Sequence, residues 1–500
     1  MQLGMQSPPV ILGSSLSGIL LSQTLSRAGI EHVVVGDGKE PEEIPRLGES
    51  LNDTASPELW RHYGRELGEY FYFKNHISYF NGNFLTLISL ANPRRTRARV
   101  MKYAPERGTP RYPWFGDGLF HLDRIGFDRA LWCKWREDKL CRFVNAKVTR
   151  IEHDKSSDAI TRIDLSDGSS IEHPRYVFDN TGFKSIVAEA AEVGQNLMGP
   201  AQRVVFTHYR CPTLPEARPE FWRHGTNLIR LDREADSIDA LAWVIPIGRT
   251  LSVGMSFDLD GERGQDSNES LMTRLEDACR RRGIDFRPLY PEELPIQNLR
   301  HHYFYRERAW GKNWLLVGGT AITIWFPSSS GLWTTTAACG MATRLLEDPS
   351  LGKFYDQSMK AMLPFHRLLD DVLHGPMWRS SAHAYRFFAK GSTFILGRVS
   401  NYLRIKRGNY GWLSPVNWFL DTLSFIGWLM PPILFVLMGG TALVRSRLSP
   451  DRSKQGSPLL LYFWTIPFRL WSFARAVPQF LWSLIPRKSL PGDRSGKPTN

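Results

Sequence analysis

Gly13-Ser-Ser15-Leu-Ser-Gly18 is a run of small residues between an apolar triplet and a stretch with helical spacing. Small residues at such a turn let backbone N–H groups and the positive end of a helix approach a pyrophosphate. The spacing is that of G-x-G-x-x-G, with Ser15 in place of the middle glycine. The bland alternative is an ordinary tight turn between strand and helix. A bound dinucleotide would have its ribose met by an acidic residue about 20 positions on; Gly36 stands there and Asp37 follows it. The second chemical candidate is Lys74, within Phe71-Tyr-Phe-Lys74-Asn-His-Ile-Ser-Tyr79-Phe-Asn-Gly82. An ammonium among aromatic rings is a desolvated donor suited to an anion or a polarised oxygen; on the wet face of an amphipathic strand it is only a solvated lysine. His301-His302 has no carboxylate or cysteine at ligand spacing, so no metal site is expected. Ser328-Ser-Ser330 lacks the turn that presents a hydrolase nucleophile, and there is no P-loop.

The elements that would hold these groups are legible in outline. Residues 9–12 read as a short buried strand, 19–28 as a helix ended by Gly29, and 32–35 as a second strand. This βαβ start opens a dinucleotide-binding domain. Residues 58–67 have helical spacing, 70–84 alternate aromatic and polar residues like sheet, and 125–139 look helical. Residues 143–178 look like short strands ending in a buried one, and 204–257 are strand-rich. A further buried strand is expected at 314–317, followed by a small-residue loop and a helix from about Leu332.

Five hundred residues exceed one core, so two or three domains are expected. Hydrophobic content of 42% beside 23% charged residues is that of a globular chain. Cys133, Cys141, Cys211, Cys279 and Cys339 are scattered without a C-x-x-C, which suits a reducing compartment. The net charge of +13 is confined to one end: from Arg386 onward sixteen Lys and Arg face three acids, leaving 47 of each sign before it. That distribution argues against nucleic acid as a partner. Six of the seventeen tryptophans share the basic segment, a mixture suited to an anionic membrane surface.

Taken in order, the motifs resemble those of the flavin-dependent halogenases. Arg46-Leu-Gly-Glu49-Ser50-Leu51 is similar to the family's G-E-S segment after the first βαβ unit. Phe120-His-Leu-Asp-Arg124, with Phe127-Asp128, is similar to its flavin-contacting arginine and helix start. Asp167-Gly168 and Phe178-Asp-Asn-Thr-Gly182 look like its D-x-x-G strand end. Leu316-Val-Gly318-Gly319-Thr-Ala321, with Pro327-Ser-Ser-Ser330-Gly331, lies where the family has G-D-A and its halide-side loop. Leu241-Ala-Trp243-Val-Ile-Pro246 matches W-x-W-x-I-P except at its first tryptophan. The match covers about residues 8–345.

The resemblance implies an α/β protein with an FAD-binding, Rossmann-like fold of the glutathione reductase and p-hydroxybenzoate hydroxylase type. Residues 1–195 and 300–385 would form the FAD domain, with 196–299 an inserted β-rich substrate domain. FAD would be bound by Gly13, Ser15, Gly18, Asp37, Glu49, Ser50, Arg124, Gly318, Gly319 and Ala321. The halide and substrate side would be formed by Trp243, Pro246, Pro327, Ser330 and Gly331. Lys74 would be catalytic, holding hypohalous acid and delivering it to a lipophilic or carrier-bound aromatic of secondary metabolism. The resemblance also implies a separate flavin reductase that would supply reduced FAD; the sequence shows no NAD(P)H motif of its own. The chain departs from the family at Ser15, Gly36, Leu241 and Gly319, the last replacing an aspartate that in related flavoproteins bonds the ribityl chain. Ser328 stands where tryptophan-type members carry a glutamate. A flavin monooxygenase or epoxidase acting on a membrane lipid or polyene, and a non-catalytic flavin-fold scaffold, stay open as alternatives.

Residues 386–486 form a basic, apolar extension, helical in expectation, and 487–500 a polar tail expected to be disordered. Residues 422–444 carry no charge over 23 positions but are interrupted by Pro431-Pro432. Residues 459–485 are apolar yet punctuated by Arg469, Arg475, Pro467 and Pro478, as in helices lying in an interface. The expectation is a cytoplasmic protein held peripherally or monotopically on the inner face of a membrane; a spanning segment or a lid on the flavin domain are the alternatives.

Overall fold

The computed structural model describes residues 7–51, 55–74, 76–80, 84–89, 120–212, 225–259, 266–323 and 330–360. Pro327, the last part of the expected FAD domain at 361–385, the extension at 386–486 and the tail at 487–500 lie outside the described residues.

The chain opens as its periodicity requires. Strand β1 (Val10–Leu12), helix α1 (Leu16–Arg27) and strand β2 (His32–Gly36) form the βαβ start of a five-stranded parallel sheet. The strand order is Trp314–Leu316, Val177–Asp179, β1, β2, Cys141–Asn145, with every neighbour parallel. Val10, Ile11, Leu12, Val33, Val34 and Val35 of β1 and β2 are all buried, so both faces of these strands are covered, and α1 packs against them. Helix α1 buries Gly18, Ile19, Leu20, Leu21, Ser22 and Leu25 on one side, and Gly29 at φ +72° carries the chain out of it. Helix Ser330–Leu345 packs beside α1, where Ser17 Oγ and Thr335 Oγ1 are 2.8 Å apart. Helix Arg124–Arg136 starts on Asp123, whose carboxylate accepts from the Ile125 and Gly126 N–H groups. A small antiparallel sheet of Val148–Asp154, Ala159–Leu165 and Ser170–Glu172 intervenes before the chain returns to the central sheet.

The second large sheet has eight strands, and its composition differs from a simple insertion at 196–299. Gln202–Arg210, Thr250–Asp258, Ala240–Ile247 and Gly225–Leu231 lie side by side and antiparallel. Beyond them the sheet continues into His76–Phe80 and Phe84–Ser89, from the segment just after Lys74. Gly225–Leu231 pairs with His76–Phe80 in parallel, so the stretch just after Lys74 is stitched into this second sheet. The strand Gln297–His301 also runs past the expected end at 299.

This sheet has two different faces, as period-two alternation dictates. One buries Val205, Tyr209, Ile229, Ala242, Val244, Val253 and Met255 against helix Asn268–Arg281, which contributes Leu271, Met272, Leu275 and Cys279. The alternate positions, Phe206, His208, Thr226, Leu228, Trp243, Ser252 and Ser256, are buried as well but fall on the opposite face. Thr226 and His208 of that face are hydrogen-bonded to Ser50 and Glu49 of the first domain.

Candidate functional site

Four parallel strands deliver their carboxyl ends to one edge, where open α/β sheets bind ligands. β1 ends in Gly13, β2 in Gly36 and Asp37, Val177–Asp179 in Asn180, and Trp314–Leu316 in the 3-10 turn Gly318–Thr320. The glycines of the first turn are sterically required. Gly13 has φ +100°, and a Cβ there would lie 3.0 Å from Asn180 O; at Gly18 it would lie 2.0 Å from Gly13 O. The tight turn and the close packing of helix on strand are the geometric demands of a pyrophosphate-binding loop. Ser15 is the N-cap of α1, with an exposed side chain that makes no capping bond. The first-turn N–H groups are therefore not claimed by that hydroxyl, and they face the side where an anion is favoured. The residues fit the diphosphate of a dinucleotide.

On the neighbouring strand Gly318 has φ +56°, and a Cβ there would meet Thr335 Oγ1 at 2.6 Å. Gly319 is different: only Thr323 Oγ1, at 3.7 Å, stands near a Cβ built on it. Ala321 closes the turn through its N–H to Gly318 O, and Thr320 Oγ1 accepts from Gly182 N at 2.9 Å, tying two strand ends together. Arg124 is engaged within the protein. Its guanidinium donates twice to Asp128, at 2.9 and 2.8 Å, and also to Leu47 O, over Gly48 at φ +98°.

Lys74 is buried at 3% exposure, at the seam between the two sheets. Its ammonium donates to Ser50 Oγ at 2.8 Å and to Leu51 O at 3.1 Å. Ser50 Oγ lies 2.8 Å from Thr226 Oγ1, which is 3.0 Å from His121 Nε2, and His121 Nδ1 is 3.1 Å from Pro246 O. An ammonium only donates and a carbonyl only accepts, so Lys74 donates to Ser50 and His121 Nδ1 donates to Pro246 O at the two ends of this chain. Beside it a second buried pair crosses the seam: His208 Nε2 donates to Glu49 Oε1 at 2.7 Å, both side chains being 3% exposed or less. Glu49 is thus engaged by the second sheet.

Trp243 is buried on the sheet face shared with Thr226, its Nε1 donating to Ser252 Oγ at 3.2 Å. Its indole rests over Gly254, where a Cβ would come within 2.3 Å of the ring. Leu241, at the departure from the family motif, is fully buried. Pro246 contributes the carbonyl that receives His121. Of the expected halide-side loop, Ser330 begins the helix Ser330–Leu345, and Gly331 is exposed with no atom within 4 Å of a built Cβ. Among the described residues no group of three or more His, Cys, Asp or Glu side chains is placed to hold a metal ion. Burial pulls His301 down to about 4, keeping it neutral, and the His302 ring stacks on Phe183 at 4.6 Å.

Of the residues expected from sequence, the structure brings Glu49, Ser50, Lys74, Trp243 and Pro246 together at the seam, and Gly13, Gly18, Asp37 and Gly318–Ala321 at the strand ends. Sequence reasoning reads Glu49 and Ser50 as FAD contacts. It misses Thr226, His208 and the role of His121. The available signal was a polar residue at an inward position of an otherwise apolar strand, as in Val204-Val-Phe-Thr-His208.

No family model matches the sequence, and no curated protein matches it. Solved structures do. The chain is similar to Xcc4156, a flavin-dependent halogenase from Xanthomonas campestris, at 18% identity over 72% of this chain and 77% of that one, with a TM-score of 0.53. It is similar to PqsL of Pseudomonas aeruginosa, solved with 2-aminobenzoylacetate, at 15% identity over 75% and 98%, with a TM-score of 0.56. A variant of the halogenase PltM in complex with FAD aligns at 13% identity over 85% and 92%, with a TM-score of 0.57. The chain has the FAD-binding α/β fold that these proteins share.

Proposed function

We propose that the chain is an FAD-dependent oxidoreductase of the halogenase type, using reduced flavin, dioxygen and a halide on a lipophilic or carrier-bound aromatic. The observation that carries this is Lys74: a buried ammonium that donates to Ser50 Oγ and Leu51 O where the FAD fold meets the second sheet. The Gly13–Gly18 turn and the first turn of α1 would hold the diphosphate, with Gly318–Ala321 beside it. Reduced FAD, when bound and replenished by a separate reductase, supplies the electrons with which dioxygen oxidises the halide.

The remaining chemistry belongs to the chain's own residues. Lys74, fixed by Ser50 and Leu51 O and oriented through Thr226 and His121, donates a hydrogen bond to the oxygen of hypohalous acid. That bond polarises the halogen towards the substrate ring. The aromatic C–H bond is exchanged for a carbon–halogen bond, and the proton leaves with the hypohalous oxygen as water. Trp243, Phe206 and Leu228 make the sheet face apolar around this point, keeping out the water that would compete for the oxidant.

Lys74→Ala and the bulkier Lys74→Met test the reading. With added reduced FAD and halide, both should lose halogenated product by about 100-fold or more while oxygen still reoxidises the flavin. Retained product in both variants would remove Lys74 from the chemistry. The second reading, a monooxygenase, is favoured by the likeness to PqsL, described as a probable FAD-dependent monooxygenase. A product mass that rises by one oxygen and ignores the halide would select it.

A further inference from the structure

Arg306 ends the strand Phe304–Arg306, the middle strand of a three-stranded antiparallel sheet with Gln195–Leu197 on one side and Ile322–Thr323 on the other. The residue is only 8% exposed, yet it forms no ion pair among the described residues. Its guanidinium makes a single hydrogen bond, from Nη2 to Phe183 O at 2.5 Å. Nε is sealed from solvent without an acceptor; Nη1 also lacks one among the described residues, and it is not sealed. Burial lowers the pKa of this group and Asp179 acts against that, but an arginine keeps its charge regardless. Asp179 is no counter-ion either. Its two oxygens already accept from Thr181 N and Oγ1, Ser185 Oγ and Val187 N. A cation buried without a partner destabilises the chain that holds it, so this corner lacks a negative charge.

The surroundings indicate what should bring that charge. Phe183, whose carbonyl holds Arg306, is 38% exposed. Its ring stacks on His302 at 4.6 Å and meets Phe304 edge-on at 5.0 Å, and Arg306 Cζ lies 5.6 Å from the Phe304 ring centre. Burial and the nearby Arg300 charge hold the His302 pKa below its ordinary value, so the shelf beside the guanidinium is aromatic and neutral. The turn that presents Phe183 is fixed, since Gly182 N donates to Thr320 Oγ1 at 2.9 Å. We infer that Arg306 and Phe183 form a binding site for an oxyanion, carboxylate or phosphate, carried on a flat apolar body. The oxyanion meets the open end of the Arg306 guanidinium, and the body lies on the Phe183–His302 shelf. This site shares no residue with the Lys74 seam or the Gly13–Gly18 turn and does not rest on the halogenation reading.

The test is calorimetric titration of the full chain with phenyl phosphate and with benzoate, beside inorganic phosphate as an anion without a ring. At least one ring-bearing anion should bind saturably, about 3- to 30-fold more tightly than inorganic phosphate, and the tighter of the two names the oxyanion. Arg306→Gln should weaken that binding about 10- to 100-fold, the worth of hydrogen bonds between charged groups. Phe183→Ala should abolish the preference for the ring and leave inorganic phosphate unchanged. Arg306→Met adds a readout that a structural role would move the other way: relieved of an unpaired cation, the ligand-free variant should melt at or above the wild-type temperature. No saturable binding of either ring-bearing anion, undiminished binding by Arg306→Gln, or a lower melting temperature for Arg306→Met would each overturn the inference. FAD retention should be the same in Arg306→Gln as in the wild type; its loss would assign the arginine to the cofactor and overturn the separate site.

Discussion

Gly319 stands where related flavoproteins carry an aspartate, and among the described residues only Thr323 Oγ1, at 3.7 Å, comes near a Cβ built on it. Gly36 is the opposite case, closed by Ser14. The two departures therefore have different physical meanings: one is a deletion that can be reversed, the other a rearrangement that cannot. Gly319→Asp should tighten FAD by about 3- to 30-fold, the value of one added hydrogen bond to a ribityl hydroxyl, as read by flavin retention through gel filtration. No gain would mean that the ribityl chain lies elsewhere. At this scale the sequence was informative where sterics act locally, as at Gly13 and Gly18, whose roles follow from a turn of six residues. His208 and Thr226 were not legible, because their partners Glu49 and Ser50 lie far back in the chain and a lone polar residue in a strand carries no address.

Asp179 shows how one strand end organises a neighbourhood. Its fully buried carboxylate accepts from Thr181 N and Oγ1 at 2.7 and 2.6 Å, from Ser185 Oγ at 2.6 Å and from Val187 N at 3.2 Å. Those bonds hold the turn to Gly182, which in turn grips Thr320 beside Gly318. Asp179→Ala should lower the unfolding free energy by about 3 kcal/mol, since it orphans several buried donors at once. Denaturant melts would check this; a loss below about 1 kcal/mol would show that the turn is held by its backbone. Elements of strong local period, β1, α1 and β2, were readable from residue spacing. The parallel pairing of His76–Phe80 with Gly225–Leu231 was not, because a contact between distant segments leaves no trace in either. Helix Asn268–Arg281 was overlooked although Ser267 caps it and its apolar residues recur at helical spacing.

Across the whole chain the charge is the most uneven property: residues 1–385 are balanced, and the excess of +13 lies beyond them. Among the described residues no helix is long and apolar enough to cross a membrane. Attraction of about 1 kcal/mol per Lys or Arg near an anionic surface would let a few contacts hold such a segment there. Apolar burial by residues such as Trp428, Phe435 and Trp471 would then resist release by salt. The full chain should sediment with membranes through a high-salt wash, whereas a chain ending near Tyr410 should stay in the supernatant. A full-length protein that is monomeric without detergent, with the shortened form unfolded, would make the extension part of the core instead.

The seam also bears on how the protein is made. Residues 196–299 look like a module that could be produced alone, yet their strand Gly225–Leu231 is covered on one side by His76–Phe80, delivered from the other domain. Without that cover it becomes a bare edge with unpaired N–H and C=O groups, next to a sheet rich in Val, Ile and Leu. The isolated module should accumulate as aggregate, and adding residues 70–90 through a linker should return it to solution. During synthesis the same edge has its partner already waiting upstream, so the strand following Lys74 serves as a built-in guard against sheet-to-sheet sticking between nascent chains.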